Sequence, residues 1–312
     1  MSPRIVSLIA SATEILCELG FQRQIVGRSH ECDFPESVSK LAICTNPKFD
    51  TTVSSREIDN QVKDVLKNSL AVYSVEEETI KQLNPTHIIT QAQCDVCAVS
   101  LKDVELMVQD WTGINTKLVS LKPDSLENIW DDIALIAKSL DAEEQGNRTI
   151  QKLKTKMSDI NDRSALLSSK PKIACIEWID PLMAAGNWVP ELVQMAGGIN
   201  LLGEAGKHSP WMNIQELVQS DPEKIIIMPC GFDIPRIKKE MNPLLESKDF
   251  MELKAVKNNE VYITDGNQYF NRPGPRIVDS LKIFAEIFHP SHFNFKFEGS
   301  GWLKYNCYDF CE

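Results

Sequence analysis

The chain has 312 residues, 43% of them apolar and 25% charged, which is too long for one small core and suits two lobes of an ordinary globular protein. A net charge of −11, with no basic cluster overriding the average, argues against a nucleic-acid groove. No run approaches the roughly 20 apolar residues that span a bilayer.

Residues 4–9 read as the first strand, leaving only Met1, Ser2 and Pro3 for a secretion signal, so a cytoplasmic location is expected. Nine cysteines, an odd number, fit a reducing compartment rather than a disulfide framework. Ser11 with Glu14 has the spacing of a capping box opening a helix that stops at Gly20. Strands are expected at 24–29, 41–45, 71–74, 86–90 and 116–121, with helices at 58–69, 76–83 and near 99–111. Strand alternating with helix at this spacing predicts a parallel α/β lobe over residues 1–122.

Residues 123–170 break the pattern: helical periodicity runs almost uninterrupted, which predicts one long helix as a rigid connection. The α/β pattern restarts over 171–290, with strands at 172–178, 224–228 and 260–264 and helices at 189–196, 214–220, 235–248 and 275–288. Residues 291–312 read as an aromatic, non-periodic tail carrying Cys307 and Cys311. The fold class is therefore α/β: two Rossmann-like lobes with parallel sheets joined by a long backbone helix, with a ligand cleft between the lobes.

In open α/β sheets, ligands bind where strands end, and four such loops carry chemistry. Gln91 precedes a CxxC, Cys94 and Cys97, whose spacing lets two thiolates grip one metal; redox exchange and two plain buried residues are the alternatives. His30, Glu31, Cys32 and Asp33 place four potential ligands or acid–base groups together. In an extended loop, His30 and Cys32 would point the same way. Thiolates with an imidazole suit zinc or an iron–sulfur centre, and the imidazole alone suits a corrinoid cobalt. Cys230 also follows a strand, so Cys32, Cys94, Cys97 and Cys230 form a candidate metal set. Trp178, Trp188, Trp211 and Tyr269 lie near strand exits, where flat ligands find aromatic surfaces. Arg272 is placed to meet an anionic ligand group, and Arg276 to support the last helix.

Four stretches together resemble a known family: Arg4–Leu8 with Ser11–Ile15, Pro210-Trp211 with Asp221–Ile226, Val261-Tyr262, and Arg272-Pro273-Gly274-Pro275-Arg276. Their order and spacing resemble the helical-backbone substrate-binding proteins of ABC importers, the cobalamin and iron-siderophore receptors, most nearly the cobalamin-binding branch. That resemblance implies a ligand between two lobes joined by a long helix, with Trp188, Trp211 and the Tyr269–Arg272 loop facing it. It also implies an ABC importer as partner, against which the missing signal segment speaks.

Two functions follow. The first is an intracellular protein holding a corrinoid, such as cobalamin, or another metal-bearing ligand, with His30, Glu31, Gln91, Trp188, Trp211, Tyr269 and Arg272 as contacts and no turnover. The second is an enzyme on the same fold with cysteine-bound zinc or an iron–sulfur cluster, in which Glu31, Asp33 or Glu177 moves a proton. The broad resemblance favours the first, because no complete catalytic constellation assembles: there is no G-x-S-x-G elbow, H-E-x-x-H or full P-loop.

Overall fold

The computed structural model describes residues 2–68, 72–91, 104 and 116–309. The chain divides into two compact units, the first comprising Met1–Val53, Glu57–Pro123 and Glu127–Lys152, the second Ser54–Arg56, Asp124–Leu126 and Leu153–Glu312.

In the first unit, β1 (Ile5–Ser7), β2 (Ile25–Arg28), β3 (Ala42–Ile43), β6 (His87–Gln91) and β7 (Lys117–Leu121) form a sheet in the order β3-β2-β1-β6-β7. Every pairing in it is parallel. The central strands β1 and β6 are buried along their whole length, the pattern of a sheet covered on both faces. β4 (Thr45–Pro47) and β5 (Tyr73–Val75) make a separate antiparallel pair that sets Pro47 opposite Tyr73. Val6, Leu8, Ile80 and Ile88 form one core cluster, against which Leu83 and Val62 pack from α3 (Glu77–Leu83) and α2 (Ser55–Asn68).

The first helix, α1 (Ala10–Glu18), begins one residue before Ser11, so the expected capping box does not form. Ser11 and Glu14 are buried in the helix body, and Ile9 stands at its N-cap. The reason lies in the preceding chain: β1 delivers it directly into the helix, with Leu8 N still donating to Ile89 O at 2.8 Å.

The expected single long helix is two, α4 (Leu126–Ser139) and α5 (Glu143–Ala165). Asp141 lies between them at φ 56°, a left-handed conformation that ends a helical run, and the Gly146 N–H restarts bonding onto Ala142 O. Gly146 is packed rather than helix-breaking, since a Cβ there would come within 2.6 Å of Ala137 Cβ. The division between the units falls inside α5, at Lys152/Leu153.

In the second unit, β8 (Lys172–Trp178), β10 (Ile199–Asn200), β11 (Lys224–Ile227) and β12 (Val261–Thr264) run parallel, with β9 (Met183–Ala184) antiparallel beside β8. Ile225, Ile226 and Ile227 have no exposure at all, each worth about 2 kcal/mol of burial. Around the sheet lie α6 (Val189–Met195), α7 (Ile214–Ser220), α8 (Ile234–Glu240), α9 (Asn242–Leu245), α10 (Lys248–Met251), α11 (Lys254–Lys257) and α12 (Ile277–Phe288). The segment 235–248 is largely helix, as expected, with interruptions at Met241 and at residues 246–247. Pro243 has no N–H to continue the ladder, and the Ser247 side chain accepts from Phe250 N to start the next turn.

The C-terminal segment is no loose tail. β13 (Trp302–Lys304) adds antiparallel to β12, closing that sheet edge, and Phe293, Trp302, Tyr305 and Cys307 are buried. An aromatic run without periodicity reads as a tail in sequence because its partners, β12 and α12, are supplied by the rest of the chain.

Gly186 shows how tightly the second unit is built. A Cβ there would lie 2.5 Å from Lys207 O and 2.8 Å from Ser209 N, backbone atoms that cannot swing away. Gly186→Ala is expected to lower unfolding free energy by about 2 kcal/mol through forced backbone shifts, read as a lower urea midpoint.

Candidate functional site

In the first unit the functional groups gather after β2. Cys32 N donates to Ser29 O at 3.1 Å, closing a turn over residues 29–32, and the Arg28 guanidinium braces it by donating to Ser29 O, His30 O and Ser39 O. That turn overturns the expected alternation. Cys32 points inward, 1% exposed, against Ala10 and Val38, where its sulfur accepts from Thr13 Oγ1 at 3.1 Å. His30 instead faces Tyr73, with ring centres 5.0 Å apart, and Tyr73 donates its hydroxyl to Glu31 Oε1 at 3.1 Å. His30 and Glu31 therefore share one surface, and Cys32 belongs to the core.

The protonation of His30 follows from its neighbours. Thr45 Oγ1 accepts from the His30 backbone N–H at 3.1 Å and bonds both Ser29 Oγ at 3.0 Å and His30 Nδ1 at 2.8 Å. Thr45 thus holds the Nδ1 side of the ring, and Nε2 lies 4.0 Å from Glu31 Oε1. Burial lowers the pKa of His30 below the ordinary imidazole value, and the Arg28 charge pushes the same way against the bond to Thr45. Burial thus favours the neutral ring, with Nδ1 held by Thr45 and Nε2 on the side of Glu31.

Gln91 is the last residue of β6 and is 4% exposed. Cys94 and Cys97, the CxxC, and the helix expected near 99–111 lie outside the described residues, apart from Val104. Among the described residues no group of three or more histidine, cysteine or acidic side chains is arranged to hold a metal ion. Burial raises the Cys17 and Cys44 thiols to about 11 and Cys175 further, so none of these is a ready thiolate.

In the second unit, groups gather after β8, β11 and β12. Trp178 tilts against Phe232 at 5.1 Å, and the Arg236 guanidinium carbon lies 4.8 Å from the Phe232 ring centre. Ser209 accepts from Gly186 N and donates to Glu177 Oε2 at 2.8 Å, orienting that carboxylate. Cys230 is exposed at the β11 exit, its N–H on Glu177 O. Trp211 is 54% exposed, a large aromatic surface, with its backbone bridged to Met183.

Trp188 differs from its expected role. It is 5% exposed, and its indole N–H donates to Phe270 O at 2.7 Å, so it clamps the start of α6 to the loop at 265–272. A buried indole needs a partner for its N–H, and the backbone carbonyl supplies it. Arg272 is 7% exposed and donates to Asn267 Oδ1 at 3.0 Å, a brace within the loop. Tyr269 is half-buried, with the Arg276 guanidinium carbon 5.5 Å and the Phe297 ring centre 5.7 Å from its own ring centre. Asp265 organises the loop by accepting from Asn267 N, Gln268 N and Gln268 Nε2, while burial raises its pKa.

Several functional groups escape sequence reasoning. Thr45 and Ser29 look like ordinary strand-end hydroxyls, and Tyr73 reaches His30 only through the β4–β5 pairing. The local signal was the polar density of residues 29–33, which marks the place without its partners.

Open parallel sheets whose strand exits carry aromatic rings and oriented polar groups define a small-molecule binding protein. The periplasmic binding protein family model matches residues 5–268, and the chain belongs to that family. It is similar to an uncharacterised ABC transporter substrate-binding lipoprotein of Bacillus subtilis (strain 168), 21% identical over 93% of this chain and 81% of that protein. It is also similar to the vitamin B12-binding protein of Vibrio vulnificus (strain CMCP6), 22% identical over 91% of this chain and 89% of that protein. Among solved structures, the apo periplasmic heme-binding protein of Roseiflexus sp. RS-1 superposes with a TM-score of 0.70 at 18% identity, covering 94% of this chain and 100% of that one. At that identity the likeness is one of fold.

Proposed function

We propose that this protein binds a metal-bearing macrocycle, a corrinoid or haem, through an axial bond from His30 Nε2. The observation that carries the reading is the bonded group of His30 Nδ1, Thr45 and Ser29, which fixes the ring through one nitrogen, while burial keeps the imidazole neutral. Outer-shell fixing of one ring nitrogen is how metal-binding histidines are oriented, and imidazole is an ordinary axial donor to haem iron. Tyr73, 8% exposed, packs against the His30 ring and helps hold its plane. The names of the B12-binding and heme-binding relatives support this ligand class. An ABC importer is the partner suggested by the name of the lipoprotein relative. The odd number of cysteines fits a reducing compartment, which cell fractionation checks.

The test is titration with aquocobalamin and with haemin, each with an exchangeable axial water, followed in the visible band. One of them is expected to bind saturably with the spectral shift of imidazole coordination. Binding of neither, up to the solubility limit of the probes, rejects the reading.

A further inference from the structure

The start of α1 presents donors that the chain itself does not satisfy. An α-helix leaves its first N–H groups without intrahelical acceptors, and a buried helix end needs partners from elsewhere. No side chain caps α1, and no acidic residue stands in its first turn. Among the described residues, the N–H groups of Ala10, Ser11 and Ala12 meet no acceptor, although these residues are only 5%, 1% and 0% exposed. The buried Ser11 hydroxyl is likewise without a partner there. Because Cα–Cβ bonds tilt toward a helix N-terminus, a serine in the first turn directs its hydroxyl to the same end as these N–H groups. The sheet order β3-β2-β1-β6-β7 also reverses at β1, with β2 and β3 on one side and β6 and β7 on the other. Such a switch point, at the carboxyl ends of the strands, is where open parallel sheets take ligands, and α1 begins there. On the paired strand, Arg28 is 8% exposed and donates to the Ser29, His30 and Ser39 carbonyls, and no carboxylate among the described residues pairs with it.

We propose that the start of α1 binds a carboxylate or phosphate group through the Ala10, Ser11 and Ala12 N–H groups and the Ser11 hydroxyl. A helix N-terminus carries partial positive charge, so the acceptor that fits these donors is an anionic oxygen. The short side chains of Ala10, Ser11 and Ala12 let such a group reach the backbone, and burial strengthens each bond because little solvent screens it. Glu14, the first carboxylate of the helix, lies beyond this first turn. The turn that carries His30 packs on the same helix start through Cys32 and Ala10, so the anion is either a side group of a ligand held there or a small free ion. The inference stands without the macrocycle reading, because simple anions test it.

The test is amide NMR of the full chain, read at residues 10–12, in titrations with sodium phosphate and with sodium propionate at constant ionic strength. Saturable shifts centred on the start of α1 are expected with at least one of them. Ser11→Ala removes one donor at little cost to packing and is expected to weaken that binding about fivefold, the scale of one hydrogen bond. Ile9→Asp places a carboxylate at the N-cap, where it takes the same N–H groups, and is expected to abolish the response. Should Ile9→Asp fail to fold, Ser11→Ala carries the comparison by itself. Gallium protoporphyrin and its dimethyl ester separate the two sources. Shifts at residues 10–12 with the free acid and not the ester assign a carboxylate of a larger ligand, whereas shifts with the simple anions alone assign a free ion. Failure of gallium protoporphyrin to bind at all counts against the macrocycle reading and leaves the simple-anion result to decide this one. No saturable shift at these amides with any probe, or equal affinity in the wild type and Ser11→Ala, overturns the proposal, and ordered water then satisfies the donors.

Discussion

Replacing His30 with alanine is expected to lower affinity for the bound macrocycle by about a hundredfold or more. The loss of a direct metal–nitrogen bond exceeds the roughly 10–100-fold that outer-shell partners of a ligating histidine contribute. Thr45→Val removes the hydroxyl partner of Nδ1 while keeping shape, and is expected to weaken binding about tenfold; Thr45→Ser keeps the hydroxyl and most of the affinity. The visible spectrum separates the two effects: His30→Ala loses the signature of imidazole coordination, whereas Thr45→Val keeps it at lower occupancy.

The pH dependence has a definite sign. Coordination needs the neutral ring, and burial holds the folded pKa of His30 below the reference value of 6.5. Binding should therefore persist through neutral pH and fall only as pH drops through that lowered value. The same shift acts on stability. Below about 6.5 the unfolded imidazole takes up its proton before the folded one does, so stability falls as pH decreases through this window. Above it both states are neutral and the contribution of His30 is flat. Urea unfolding at a series of pH values, compared with His30→Gln, isolates it; equal slopes in the two proteins would exclude His30 as their source.

Glu286→Ala carries the largest expected loss of stability, about 4 kcal/mol. The carboxylate accepts from two backbone N–H groups and one indole N–H. Removing it leaves these donors unpaired, and each buried unpaired donor costs about 1–3 kcal/mol unless the segment carrying them lifts to find water. Glu286→Gln should be milder, because its carbonyl oxygen still accepts while the amide offers unwanted donors to the same N–H groups. The check is urea unfolding, with limited proteolysis to show whether residues 293–302 become cleavable. An unchanged midpoint for Glu286→Ala would mean that water replaces the carboxylate at little cost.

Much of the architecture follows from local pattern. Lys172–Trp178 and Lys224–Ile227 are apolar runs bounded by turns, and both are strands over nearly the expected residues. Ile214–Ser220 matches its expected helix, and the capping box of Asn213 with Glu216 fixes its start. Where local patterns mislead, a tertiary contact outweighs them. Ser11 and Glu14 have capping-box spacing, yet β1 enters the helix one residue too early for it. Residues 123–170 are periodic enough for one helix, but a single left-handed residue, Asp141, ends the first and lets the second begin.

The binding groups divide along the same line. Sequence alone determined the α/β class and marked the strand exits, the loop at residues 29–33 among them, as candidate places for chemistry, because side-chain period and turn residues are local properties. Tertiary structure decided which members of that loop act together. A turn closed between Ser29 and Cys32 buries the thiol and turns the imidazole toward Tyr73, 43 residues further along the chain. It also decided that Trp188 is a buried clamp and that the C-terminal aromatics hold Tyr269. Hydrogen-bond satisfaction in a packed interior depends on which distant groups arrive beside one another, and no local period encodes that.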